Sequence, residues 1–145
     1  MLKKEIFYQM IRIHLEIENA GHLLALTSNN DVNIFACRKL KHSLGESKVF
    51  RLITINEIKL DALSKPQNIL FSVDADYIKL IEMVRAFPKI NEISLESKEH
   101  FSQLISSKSE HIPVLIRNGQ KIEFITVNFE YQFVKGDFLA YLGNL

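Results

Sequence analysis

The sequence predicts a mixed α/β protein (α+β overall), with parallel strands in its first half and an antiparallel module at its end. Its 145 residues are 47% apolar and 24% charged, which is typical of a globular chain. An unbroken apolar segment at 22–27, a helical pattern and a second apolar segment at 48–54 follow in the order of a parallel strand–helix–strand unit. Asn118-Gly119 separates apolar segments at 112–117 and 121–127 and predicts a β-hairpin.

Composition narrows the possible functions. The chain has 18 Lys and Arg residues against 17 Asp and Glu residues, a formal net charge of +1. Proteins that bind nucleic-acid phosphates usually have a larger basic excess, so no nucleic-acid partner is expected. One cysteine excludes an intramolecular disulfide and favours a reducing, cytosolic setting. No apolar segment approaches the roughly 20 residues of a membrane-spanning helix, and the start lacks a signal-peptide pattern.

The first half predicts a helix, a strand and a second helix before the second strand. A helix over 2–19 is indicated by apolar residues at helical spacing: Ile6, Met10, Ile13 and Ile17. After the strand at 22–27, Ser28 is expected to cap the next helix in a capping box with Asp31. The apolar stripe of that helix consists of Val32, Phe35, Ala36, Leu40 and Leu44. Gly45 is expected to end it.

The middle of the chain predicts a loop followed by a short strand and a helix. The stretch 56–68 is irregular and ends in loop-forming residues. A short strand is expected at 69–72, after which Asp74 or Ser72 caps a helix. The inward face of that helix is predicted to carry Tyr77, Leu80, Ile81 and Val84. Pro88 is expected to stop the helix.

The last third predicts strands around one short helix. A strand is expected at 90–96, and Ser97 begins a helix whose inward residues are Phe101, Leu104 and Ile105. The hairpin follows, with Asn118 and Gly119 as its two turn residues and a positive φ expected at Gly119. A final strand over 138–142 is entered through Gly136-Asp137.

Few residues suggest catalysis. The five histidines lack metalloprotease spacing and fit surface or helix-end positions: His14, His22, His42, His100 and His111. Cys37 has two interpretations. It is a nucleophile only if a base and an electropositive setting surround it, and otherwise it is a small buried residue. No glycine-rich phosphate loop is present. The residues alone therefore indicate no self-contained enzyme, and no catalytic or metal-binding residue is assigned.

Two segments resemble one family. Residues 23–33, LLALTSNNDVN, resemble the second half of the nucleotide-binding RCK (KTN, TrkA-N) domain, in which a strand ends in Thr and an Asn lies early in the next helix. Residues 90–145 resemble the RCK-C (TrkA-C) module, whose habitual ending of Gly-Asp, an apolar strand and Gly is found at 136–143. Together the two segments are similar to the cytosolic tails of bacterial sodium/proton antiporters.

The resemblance implies three parts: the C-terminal half of a truncated Rossmann-like RCK-N domain at 1–60, a linker and helix at 61–88, and an RCK-C-like module at 89–145. It implies a non-catalytic, cytosolic regulatory and oligomerisation module of a monovalent cation/proton antiporter. The implied partners are a second copy, in a homodimer or higher oligomer, and a membrane transport domain. The family's glycine-rich turn is missing from this sequence, so no cofactor is expected to bind here. A nucleotide such as NAD is expected to bind only in a longer chain that includes this turn.

The resemblance also implies a ligand site at the carboxyl end of the strand at 22–27. Thr27, Ser28 and Asn29 stand at this edge, where ligands approach an open α/β sheet, and Asn33 matches the family's helix Asn. Plain helix capping is the other interpretation of these residues. Two other functions stay open: a small soluble α/β enzyme that uses the lone cysteine or a histidine, and a free-standing dimerisation adaptor.

Overall fold

The computed structural model describes residues 21–61 and 64–145, so the helix predicted over 2–19 lies outside the described residues. The described chain has a mixed α/β fold, with parallel strands, an antiparallel sheet and several helices, which confirms the predicted fold class. The chain divides into two compact units between Arg51 and Leu52.

The first unit contains the predicted parallel strand–helix–strand arrangement. Its elements are β1 (Leu23–Ala25), α1 (Asn30–Leu44), a 3-10 turn (Glu46–Lys48) and β2 (Val49–Leu52), of which only Leu52 falls past the division. β1 and β2 are parallel, with Leu24 opposite Phe50. Ala25, Val49 and Phe50 are buried, as expected for strands read from unbroken apolar segments.

The start of α1 corrects the predicted cap. Asn29 is the N-cap, and its side-chain oxygen accepts a hydrogen bond from the backbone N–H of Val32 at 3.1 Å. The capping box between Ser28 and Asp31 is therefore wrong. The helix begins at Asn30, one residue too late for the Ser28 side chain to reach an unpaired N–H of the first turn.

The inward face of α1 also differs from the predicted stripe. Val32 and Phe35 are 49% and 64% exposed. Asn33, a polar residue outside that stripe, is 1% exposed instead. Its burial depends on hydrogen bonds to the preceding turn, which the apolar pattern alone does not reveal.

The second unit opens with a short helix in the stretch interpreted as irregular. α2 spans Ile55–Ile58, and a capping box at its start involves Thr54 and Glu57. Thr54 Oγ1 accepts from the Glu57 N–H at 3.2 Å, and Glu57 Oε1 accepts from the Thr54 N–H at 3.0 Å. The two reciprocal bonds satisfy donors that a helix start leaves unpaired, which explains why one turn forms here.

A short strand and a longer helix follow. β3 spans Ile69–Leu70, and α3 spans Tyr77–Ala86. The N-cap of α3 is Asp76, which accepts from the Lys79 N–H at 2.9 Å, so the caps predicted at Asp74 and Ser72 are wrong. Asp74 instead accepts from the Ser72 hydroxyl at 3.0 Å and pairs with the Lys79 ammonium group.

The rest of the second unit is a four-stranded antiparallel sheet with one helix inserted. Its elements are β4 (Asn91–Ser94), α4 (Lys98–Ile105), β5 (His111–Asn118), β6 (Lys121–Phe124) and β7 (Phe138–Gly143). The strand order is β4-β7-β5-β6, and every neighbouring pair is antiparallel. Ser97 caps α4 as predicted, accepting from the His100 N–H at 3.0 Å.

A hydrophobic core joins the sheet, α4 and the loop before β7. Its buried members are Leu95, Phe101, Ile116, Ile125, Tyr131 and Leu139, and the predicted inward residues Leu104 and Ile105 pack against them. The rings of Phe101 and Tyr131 lie 4.4 Å apart between centroids. Aromatic contacts of this kind anchor the loop to the helix.

The end of β7 requires glycine. A Cβ added to Gly143, whose φ is +95°, would meet the carbonyl oxygen of Glu110 and lie 2.8 Å from Cε of Met83 on α3. The backbone contact leaves no space for a side chain, so the close approach of β7 to the start of β5 depends on this glycine.

The hairpin turn lies one residue later than predicted. Asn118 pairs with Lys121, so the two turn residues are Gly119 and Gln120 rather than Asn118 and Gly119. Gly119 has the expected positive φ, +60°. Glycine at the first central position is typical of a type II′ turn. The shift returns Asn118 to β5 and leaves its side chain available for contacts elsewhere.

Candidate functional site

Thr27 and Asn33, two of the four predicted site residues, bond to each other. Asn33 Oδ1 accepts from the Thr27 hydroxyl at 2.7 Å and from the Thr27 N–H at 3.1 Å. Asn33 Nδ2 donates to the Thr27 carbonyl oxygen at 2.9 Å. The buried amide is thus occupied on both of its ends, and it braces the turn between β1 and α1.

The other two predicted residues, Ser28 and Asn29, lie in the same turn. The Asn29 side chain caps α1, and the Asn29 N–H donates to Thr27 Oγ1 at 3.2 Å. Ser28 is exposed between them. The structure therefore brings Thr27, Asn29 and Asn33 into one hydrogen-bonded turn, and a ligand role for these residues stays a prediction.

A second polar network lies in the antiparallel unit, around the buried carboxylate of Asp137. Its Oδ2 accepts from the Tyr131 hydroxyl at 2.7 Å and from the Val134 N–H at 3.0 Å. Its Oδ1 accepts from Asn118 Nδ2 at 2.9 Å, and the same Nδ2 donates to the Lys135 carbonyl oxygen at 3.1 Å. The carboxylate ties the loop before β7 to the hairpin end of β5.

The protonation states in this network are well separated. Burial by itself would raise the pKa of Asp137, but the hydrogen bonds from Asn118, Tyr131 and the Val134 N–H, with the nearby charge of Lys121, hold that pKa below its usual value. Burial, followed by the bond to Asp137 and its charge, raises the pKa of Tyr131. At neutral pH the site therefore holds a fixed carboxylate and a neutral phenol, which suits a stable frame rather than proton transfer.

A groove of about 300 Å³ opens beside this network. We call it the hairpin groove. Its lining includes Tyr131 and Asp137 of the network, together with Asn118, Lys121, Ile122, Glu123, Val134 and Lys135. Val134 is 57% exposed, so the groove presents apolar surface next to charged groups of both signs.

Polar groups of the groove have unused bonding capacity. Asn118 Nδ2 faces two acceptors, which fixes the orientation of the amide and leaves Oδ1 as an acceptor without a described hydrogen bond. Lys121, Glu123 and Lys135 form no ion pair with any residue in 21–61 or 64–145. The groove therefore offers one amide oxygen, two ammonium groups and one carboxylate to a small molecule.

The remaining candidates for chemistry are poorly placed for it. Cys37 lies in α1, half-buried, and burial raises the pKa of its thiol despite the positive charge of Arg51, so the reactive thiolate is disfavoured. His100 Nδ1 accepts from the Glu96 N–H at 3.2 Å, and His111 Nδ1 lies 2.7 Å from the Ser109 carbonyl oxygen. Within the described residues, no three His, Cys, Asp or Glu side chains are grouped to hold a metal ion.

The sequence pattern alone does not reveal the Asp137 network. It predicts Asp137 as the entry to the last strand and Asn118 as a turn residue. Their contact spans 19 positions and depends on a one-residue shift of the turn. A polar residue stands beside a glycine at both 118–119 and 136–137. This pattern predicts two turns, but it does not predict that their side chains are in contact.

The comparisons with known proteins add no family. A scan against family models found no match, and neither the curated proteins nor the solved structures include a significantly similar one. Among the helices of the described residues, none combines the length and the apolar character needed to cross a membrane.

Proposed function

We propose that this chain is a non-catalytic regulatory module that responds to a small ligand in the hairpin groove. Its setting in this proposal is the cytosolic side of a monovalent cation/proton antiporter, where it also serves in oligomerisation. The observation that carries the ligand response is the groove itself, in which a satisfied polar frame stands beside exposed apolar surface and beside charged side chains that have no ion-pair partner among the described residues.

The chemistry of the groove favours binding over catalysis. The Asp137 carboxylate accepts from three donors, so it is neither free to act as a base nor able to move without breaking the loop. Rigid frames of this kind hold recognition groups in place at little entropic cost. A ligand that bridges β6 and the loop before β7 would favour one arrangement of that loop, which is how a regulatory ligand acts.

The antiporter setting rests on the resemblance to the RCK family and on the order of elements. A parallel strand–helix–strand unit precedes an antiparallel module with a hairpin, as in the arrangement expected for an RCK-N half followed by an RCK-C module. Oligomerisation would cover apolar surface, because β1 lies at the end of its sheet among the described strands and its Leu23 and Leu24 are only half-buried. The partners in this proposal are a second copy and the transport domain.

The proposal is tested first at the level of the gene. We expect the reading frame that encodes this chain to include, or to adjoin, a membrane transport domain. Sodium/proton exchange is then measured in everted membrane vesicles for the whole protein and for a version that lacks residues 1–145. The expected result is a changed dependence of exchange on pH or ligand without loss of the exchange itself.

Two results would overturn the antiporter setting. One is a gene without any transport domain in it or beside it, which would favour the free-standing adaptor. The other is identical exchange with and without residues 1–145. A turnover reaction abolished by Cys37→Ala, with retained secondary structure, would favour the enzyme alternative instead.

A further inference from the structure

We infer that the hairpin groove binds a zwitterionic α-amino acid with an apolar side chain. This inference names the ligand class for the groove and rests on that part of the proposed function. It does not depend on the antiporter setting, since it concerns only side chains of the antiparallel unit.

The size of the groove sets the first limit. Its volume of about 300 Å³ lies at the lower end of the range for small-molecule sites. A single amino acid fits within that volume, whereas a dinucleotide or a drug-sized molecule requires considerably more. The occupant is therefore a small metabolite.

Charge sets the second limit. Lys121 and Glu123 lie two positions apart on β6, so they project to the same side of the strand with their Cα atoms about 7 Å apart. Both line the groove and neither has an ion-pair partner among the described residues. An anion alone would be repelled by Glu123 and Asp137, and a cation alone by Lys121 and Lys135. A molecule with both charges satisfies each group.

The polar frame and the apolar wall complete the match. Asn118 Oδ1 is an acceptor for an ammonium N–H in the same groove as the Glu123 carboxylate, while Lys135 adds a second positive charge for the ligand carboxylate. Val134, which lines the groove and is 57% exposed, supplies apolar surface for an aliphatic side chain. Few polar groups with an apolar wall are typical of small-molecule sites.

The test is an NMR titration of the whole ¹⁵N-labelled chain with L-leucine as the probe. We expect saturable shifts of the backbone amides at 121–123 and 132–137, and a rise in Tm in its presence. N-acetyl-L-leucine lacks the ammonium charge and L-leucinamide lacks the carboxylate, so each should bind more weakly. Inorganic phosphate should bind more weakly as well.

Variants assign the binding to the groove. Glu123→Gln and Lys121→Gln should each weaken leucine binding about threefold to fivefold, as expected for a partly exposed ion pair. Lys108→Gln, which changes an exposed lysine outside the groove lining, is the matched control and should leave binding unchanged. Far-UV circular dichroism of each variant checks that the fold is retained.

Three results would overturn the inference: no saturable shift with leucine, equal binding of the acetylated or amidated derivative, or equal binding of phosphate. None of them bears on exchange in membrane vesicles, so a failure here is distinguishable from a failure of the antiporter setting. Leucine binding in a chain whose gene lacks a transport domain would support the ligand class while overturning that setting.

Discussion

Each unit of this protein has a buried polar side chain that holds a loop in place through hydrogen bonds. We call these side chains, Asn33 and Asp137, the two braces, and they differ in charge and in the length of chain that they span. In the first unit, the neutral amide of Asn33 bonds to Thr27, six positions away. In the second unit, the charged Asp137 accepts from Tyr131, Val134 and Asn118, the last of them 19 positions away. One brace is local and neutral, and the other is long-range and ionised.

The difference has energetic consequences. Removing a local amide leaves backbone groups that lie near the surface, where water can replace some of the lost bonds. Removing a buried carboxylate leaves three donors that converge on one place, and two of them belong to a loop that has no regular secondary structure. We therefore expect the second brace to contribute more to stability and to make that contribution dependent on pH.

The largest expected effect is that of Asp137→Ala. The substitution leaves the Tyr131 hydroxyl, the Val134 N–H and Asn118 Nδ2 without their acceptor, so the free energy of unfolding should fall by about 3 kcal/mol. Urea unfolding followed by tyrosine fluorescence and circular dichroism measures it. Asp137→Asn, which keeps the shape and one acceptor, should cost less. Equal stability of wild type and Asp137→Ala would show that the network contributes nothing.

The next effect is that of Asn33→Ala, which we expect to cost about 2 kcal/mol because three hydrogen bonds to Thr27 are lost. Peptide-resolved hydrogen exchange separates the two braces. Asn33→Ala should speed exchange in 23–51 and leave 111–143 protected, whereas Asp137→Ala should do the reverse. Faster exchange throughout both ranges in either variant would contradict the view that each brace serves its own unit.

These two braces also mark where sequence reasoning succeeds and where it stops. Elements set by local patterns were predicted well, such as the parallel strand–helix–strand unit, the Ser97 cap and the positive φ of Gly119. Errors of one or two residues occurred where neighbouring polar residues compete for one role, as at Ser28 and Asn29.

The Asp137 network was missed for a different reason. The side chains of Asn118 and Asp137 meet only after β5 and β7 have paired, and no local pattern encodes that pairing. The hairpin groove follows from the same event, since β6 and the loop before β7 both line it. The residues of the first brace, in contrast, lie close together in the sequence, and a family resemblance also points to them. They could therefore be predicted as a group, together with their ligand role, which stays a prediction.

A smaller effect is expected at the hairpin turn. Gly119 has a φ of +60° at the first position of the two-residue turn, and a β-branched residue is strained there. Gly119→Val should lower the free energy of unfolding by slightly more than 1 kcal/mol, measured by urea unfolding. Gln120→Ala is the control. Gln120 does not have a positive φ, so alanine is not strained there and the substitution should be nearly neutral.

This variant also bears on the long-range brace. Asn118 precedes the turn directly, so a distorted turn should loosen its bond to Asp137 and raise the exchange rate of the Val134 amide. Equal unfolding free energies for Gly119→Val and wild type would mean that the turn tolerates a different geometry from the one described.

The smallest and most specific effect is the pH dependence that distinguishes a charged brace from a neutral one. The pKa of Asp137 is lowered in the folded chain, whereas an unfolded Asp titrates near its ordinary value of about 3.9. Its contribution to stability is therefore complete above that value and is lost as the pH falls through the lower folded pKa. Unfolding free energies of wild type and Asp137→Asn, measured from pH 7 to pH 2.5, should differ by a constant amount above about pH 4 and approach each other as the pH falls below it. Asn33→Ala should stay offset from wild type by a constant amount over the same range, because neither Asn33 nor Thr27 titrates there.

A constant offset for Asp137→Asn as well would mean that the carboxylate is held by shape rather than by charge. In that case the two braces would differ only in the length of chain that each one closes.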